Sequence, residues 1–126
     1  MDNILYIVRG LPGSGKSTYA KSIGCLHLEA DMYFNRSGEY TFKPELIKKA
    51  HSWCQEATDK ALNHGMDVVV SNTFTKLWEM EPYLKMHNNV LVYKCTGDYG
   101  SLHDVPFSVI HDMSNRWEDF EGEIVV

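Results

Sequence analysis

Gly10-Leu-Pro-Gly-Ser-Gly-Lys-Ser-Thr18 follows directly on the apolar run Ile4-Leu-Tyr-Ile-Val8, and residues 10–18 fill every fixed position of the phosphate-binding pattern G-x-x-x-x-G-K-[ST]. The spacing has a physical reason. Glycines let backbone N–H groups curl around a phosphate, and the helix that follows turns its positive N-terminal end toward the same anion. A nucleotide is therefore expected against Gly10, Leu11, Pro12, Gly13, Ser14, Gly15, Lys16, Ser17 and Thr18. Lys16 reaches the β- and γ-phosphates, and the Ser17 hydroxyl is placed to ligate Mg²⁺. The unbroken apolar run before the loop is the pattern of a strand buried on both faces of a parallel sheet.

Working outward, 126 residues suit one domain spanning 1–126, with one core and no room for elaborate lids. An apolar fraction of 44% and a charged fraction of 23% are those of an ordinary globular protein, without repeats or low-complexity segments. No apolar run approaches a membrane span, and Met1-Asp-Asn before a short strand is not the layout of a signal peptide. Cys25, Cys54 and Cys95 are scattered and odd in number, which argues for free thiols in a reducing compartment, the cytoplasm or, for a phage-encoded chain, the host cytoplasm. The net charge of −5 counts against a long nucleic-acid footprint but is compatible with contact to one strand end. Composition says nothing of the oligomeric state.

The loop helix is expected from Lys16 to Ile23, stopped by Gly24, with a short strand from Cys25 to Ala30 that delivers Asp31 to its end. Residues 32–43 read as a loop in which Tyr33, Phe34, Tyr40 and Phe42 alternate with turn residues. Pro44 and Glu45 open the longest helix, closed by Gly65. A strand from Met66 to Val70 runs into Ser71-Asn72-Thr73, and a helix over 76–87 either kinks or restarts at Pro82. Val90 to Cys95 is the fourth strand, followed by a loop with turn chemistry over about 96–106, a last helix from Pro106 to Phe120, and a short edge strand within 122–126. Alternating strands and helices imply parallel βαβ units in a three-layer α/β/α sandwich, with the site at the carboxyl ends of the strands.

Phosphoryl transfer needs a phosphate cradle, a metal, a group that takes the nucleophile's proton, and cations around the moving phosphoryl. Asp31, at a strand end next to the loop helix, is either the base that orients an attacking hydroxyl or a turn residue that holds a Mg²⁺-bound water. Arg36 binds the acceptor's phosphate or is a solvated surface charge. Asn72 and Thr73 hydrogen-bond the acceptor or the phosphate loop, or simply form a turn. The loop aromatics stack a base or pack the core. No histidine shows metal-ligand spacing, and only His103 is placed to approach a substrate.

Four blocks then carry a resemblance: Arg9 to Thr18, Glu29-Ala-Asp-Met-Tyr-Phe34, Val70-Ser-Asn-Thr-Phe-Thr75 with Trp78-Glu-Met-Glu-Pro-Tyr-Leu84, and His103-Asp-Val-Pro106 with Arg116-Trp-Glu118. In this order they resemble the P-loop kinases related to phage polynucleotide 5′-hydroxyl kinase, in particular the small phage and bacterial ATP-binding proteins of that group. The resemblance implies a sheet of four to five strands ordered 2-3-1-4-5 and ATP- and Mg²⁺-dependent transfer to a hydroxyl, typically the 5′-OH at the end of RNA or DNA. It also implies Asp31 as general base and the loop before Val105-Pro106 as a lid over ATP. Two departures stand out: Ser71 occupies the strand-end position where such kinases usually carry aspartate, and residues 96–104 contain no arginine. Arg116, with Arg9 or Arg36, would have to supply the missing cation. An ATP-binding regulatory protein with little turnover and a simple NTPase are the alternative readings.

Overall fold

The computed structural model describes residues 3–35, 41–100 and 105–126. Five strands form one sheet in the order β2-β3-β1-β4-β5. They are β1 (Leu5–Gly10), β2 (Leu26–Leu28), β3 (Val68–Asn72), β4 (Val90–Cys95) and β5 (Ile124–Val125). Every pairing is parallel: Leu5 lies beside Val68 and Val90, Leu26 beside Val68, and Tyr93 beside Ile124. The strands alternate with α1 (Lys16–Ile23), α2 (Ile47–Asn63), α3 (Leu77–Met86) and α4 (Phe107–Asn115).

The period-2 alternation of a strand sorts the apolar residues into two layers. Leu5, Ile7, Val68 and Val70 pack with Ala50, Cys54, Met80 and Tyr83 of α2 and α3. Val8 and Val69 face the other way and pack with Ala20 of α1 and with Cys95, edged by Tyr6, Tyr19 and Tyr93. β1 and β3 are central and nearly inaccessible, so their residues are mostly apolar and their polar ones, Arg9, Ser71 and Asn72, gather at the carboxyl ends, whereas the edge strand β2 carries His27 at its middle.

Two local expectations are corrected, and the choice left open at Pro82 is narrowed to a helix that does not restart. Pairing of β2 stops at Leu28, and Ala30–Asn35 is a 3₁₀ helix rather than strand end and loop. The reason is Asn72, whose side-chain oxygen takes the Ala30 N–H at 2.9 Å, while Met32 N–H turns back to the Glu29 carbonyl. α3 runs unbroken through Pro82. α4 ends at Asn115 rather than Phe120, because Trp117 and Glu118 are drawn out of the helix by contacts with β1 and the turn after β3.

Candidate active site

The carboxyl ends of β1 to β4 share one edge, and the phosphate loop rises from it. Gly13 and Gly15 both adopt left-handed backbone, with φ of 82° and 88°, which glycine accepts without steric cost. A side chain at Gly13 would also strike the Gly100 carbonyl at 2.7 Å. The loop is braced from both sides. Gly10 N–H bonds the Thr73 carbonyl at 3.4 Å, Tyr99 N–H bonds the Gly13 carbonyl at 2.7 Å, and Gly97 N–H bonds the Ser14 carbonyl at 3.2 Å. The Tyr99 ring, 80% exposed, lies against Gly15 and Gly97. The start of the loop after β4 is thus docked on the phosphate loop itself. Beside it lies a cavity of about 410 Å³ between Leu11, Ser14, the end of β4, Thr96, Gly97 and Trp117. The Ser14 hydroxyl, buried beside it, has no hydrogen-bond partner.

Lys16 is largely buried, which lowers its pKa by desolvation; Glu29, Cys95 and Asp31, in that order, act in the opposite direction. Two carboxylates therefore stand in the field of the loop lysine. Asp31 is reached as expected, although from the first turn of a 3₁₀ helix. Glu29 was given no role by sequence reasoning, and it touches the loop directly: Ser17 Oγ donates to Glu29 Oε2. Ser71 Oγ donates to the same oxygen at 2.5 Å, and His27 Nε2 lies 3.1 Å from it and 2.7 Å from Ser71 Oγ. With the Ser71 proton directed at Glu29, His27 must present an N–H on Nε2. Burial acts to raise the Glu29 pKa, but the bonds from His27, Ser17 and Ser71 outweigh it and hold the carboxyl at about 2. The available signal in the sequence was the parity of His27 and Glu29, which extended backbone turns toward one face.

Other expected residues are placed differently. Asn72 is 7% exposed, with its oxygen on Ala30 N–H and its nitrogen near Cys54 Sγ at 3.9 Å, so it fixes the turn bearing Asp31 instead of meeting an acceptor. Thr73 meets the phosphate loop through its carbonyl. Arg9 is corrected most clearly. It is fully buried, bonds the Phe74 carbonyl through Nε and Nη2 and the Glu118 carbonyl at 2.7 Å, and pairs with Glu123 at 3.0 Å. It is not available to a phosphate. Arg116 is exposed and donates from Nε to Thr75 Oγ1 at 3.2 Å. Arg36, Tyr40 and His103 lie outside the described residues.

Hard oxygen donors, Ser17 hydroxyl and Glu29 carboxylate, fit Mg²⁺. Among the described residues no three His, Cys, Asp or Glu side chains could hold a metal by themselves. None of the described helices is long and apolar enough to cross a membrane.

Comparison with known proteins agrees with this architecture. The chain is 34% identical to human NEDD4-binding protein 2 over 89 residues, 66% of this chain and only 5% of that protein. It superposes on a sugar kinase from Janibacter sp. with a TM-score of 0.72 at 17% identity, covering 98% of this chain and 83% of that one. A chain of the Pnkp1/Rnl/Hen1 RNA repair complex gives a TM-score of 0.61 at 15% identity, covering 95% of this chain and 40% of that one. These superpositions show a kinase-like P-loop fold. A family model described as an AAA domain matches residues 5–95, from the first residue of β1 to the last of β4, and the chain is accordingly a member of the AAA domain family.

Proposed function

We propose that the protein is an ATP- and Mg²⁺-dependent phosphotransferase that moves the γ-phosphoryl group to a hydroxyl, the 5′-OH of a polynucleotide or nucleotide being the acceptor class. The observation that carries this reading is the placement of two acids beside the phosphate loop: Glu29, which takes the Ser17 hydroxyl, and Asp31 two residues further along, both acting electrostatically on Lys16. One acid suffices for a loop that only binds a nucleotide with its metal; the second is what the transfer reading uses.

In this reading the loop amides and Lys16 cradle the phosphates and neutralise charge that develops on the equatorial oxygens. Bound Mg²⁺ supplies further neutralisation of the β- and γ-oxygens, and the Ser17 hydroxyl is its ligand from the loop. Asp31 orients the acceptor hydroxyl and takes its proton. The acceptor oxygen forms the new bond to phosphorus, the bond to the β–γ bridging oxygen breaks, and ADP departs with those electrons. The blocks shared with polynucleotide 5′-hydroxyl kinases support the acceptor class. The likeness to a sugar kinase across 98% of the chain, with a net charge of −5, favours a small polyol as the second reading.

The test is incubation with γ-labelled ATP and either a 5′-OH oligonucleotide or gluconate. Label on the oligonucleotide is expected. Label on gluconate alone replaces the acceptor class, and release of phosphate without transfer to either leaves a simple NTPase.

A further inference from the structure

At the end of β3, beside the phosphate loop, an acid would ordinarily take the proton of the loop serine and order the water around the metal; the chain carries Ser71 there. The side chain that accepts the Ser17 proton is Glu29, which the neighbouring strand β2 leads to this edge. A serine hydroxyl that binds a metal through its lone pair must direct its proton elsewhere, and the Ser17–Glu29 bond already provides that direction. The three donors recorded for Glu29 among the described residues, Ser17, Ser71 and His27, all converge on Oε2. Oε1 is left for a metal-bound water. Ser71 thus does not merely lack the acid; it holds one that comes from the next strand.

We infer that Glu29 is the carboxylate that organises the Mg²⁺ shell, with Ser71 and His27 as its positioning residues, and that Asp31 is not needed for that task. The inference rests on the nucleotide-dependent reading of the same site. It divides two acids, both near Lys16, between two tasks: Glu29 is tied to the metal-binding hydroxyl, and Asp31 sits two residues further along on a separate 3₁₀ turn. The donor arrangement also explains why His27, on an edge strand, is directed inward at 10% side-chain exposure.

ADP affinity measured by calorimetry without divalent metal and with Mg²⁺, together with Mn²⁺ binding to the ADP complex followed by electron paramagnetic resonance, tests the division without reference to turnover. Glu29→Gln is expected to leave metal-free ADP affinity within about twofold and to weaken metal binding in the complex about 10–100-fold, the usual effect of losing an outer-shell partner. Asp31→Asn should keep the metal-linked gain. Ser71→Ala retains the acid but frees it from one donor, and a smaller loss of Mn²⁺ affinity in this variant supports the assignment should Glu29→Gln fail to fold. Full metal-linked gain in Glu29→Gln, or its loss in Asp31→Asn, overturns the assignment. Should wild-type protein bind ADP with a metal-linked gain that Glu29→Gln lacks, yet label no acceptor, the phosphotransfer reading fails while this one stands.

Discussion

Arg9 and Trp117 are stacked, with the guanidinium carbon 4.1 Å from the ring centroid, so the last residue-pair before the phosphate loop and the stretch after α4 share one buried cation. The same guanidinium clamps the carbonyl of Phe74, a buried non-glycine residue held at φ 47°. A conformation of this kind costs on the order of 1–3 kcal/mol and persists only where its surroundings fix it.

Arg9→Met is therefore expected to destabilise the fold by about 3–5 kcal/mol, because it strands the Glu123 carboxylate and two carbonyls in a buried site. Arg9→Lys should recover little of this, since an ammonium cannot reproduce the planar fork. Urea unfolding of the three proteins reads the difference, and a loss below about 1 kcal/mol in Arg9→Met would falsify the structural role.

The Glu29 carboxyl is held at about 2 in the folded protein, against an ordinary value of 4.5. A depressed carboxyl stabilises the fold above its unfolded pKa and loses that contribution as pH falls through the folded one. At neutral pH the contribution is on the order of 3 kcal/mol, and it should fade between about pH 4.5 and pH 2. Chemical unfolding of the nucleotide-free protein at pH 7 and pH 3 should show a steeper loss in wild type than in Glu29→Gln; equal slopes would contradict the bond network described for this residue.

Burial disfavours the charged form of Lys16. Lys16→Met should consequently match or exceed wild type in thermal stability while losing transfer by about 10²–10³-fold, the range for removing one preorganised charge from a transition state. A variant that melts early, or that transfers at the wild-type rate, speaks against the site as drawn.

Asp31→Asn keeps shape and removes the group proposed as the base. Transfer is expected to fall about 10²–10⁴-fold, with the melting temperature little changed. Undiminished transfer would move the base elsewhere in the site.

A methyl group at Gly97 would lie 2.2 Å from the Tyr99 ring and 2.8 Å from the Ser14 carbonyl. Gly97→Ala should therefore lift the start of the lid loop from the phosphate loop. The expected signs are faster proteolysis within 96–106 and a raised KM for ATP at nearly unchanged global stability; unaltered proteolysis would mean that the docking is not held by this contact.

The central strands and the position of the phosphate loop were legible because both depend on local pattern: apolar runs too continuous for one-sided burial, and a glycine spacing that few other structures require; the strand order came only from the resemblance to P-loop kinases. Val90–Cys95 was found with its exact bounds for the first reason. What escaped depends on partners distant in sequence. Glu29 is an ordinary acid until Ser71, 42 residues away, is laid beside it. Asn72 was expected to face a substrate, but its amide is used 42 residues back, at Ala30. The last helix was extended too far because Ile110, Met113, Trp117 and Phe120 keep helical spacing, and nothing in that spacing reveals that Arg9 captures Trp117.

Residues 117–126 meet the nucleotide site from below at two points. Trp117, Glu118 and Glu123 hold Arg9 at the foot of the phosphate loop, and Val126 bonds Lys94 and Thr96 at the foot of the lid loop. The same ten residues therefore bond the chain just before the phosphate loop, at Arg9, and at the end of β4, at Lys94 and Thr96, so a substitution within 117–126 is expected to reach both loops through these contacts.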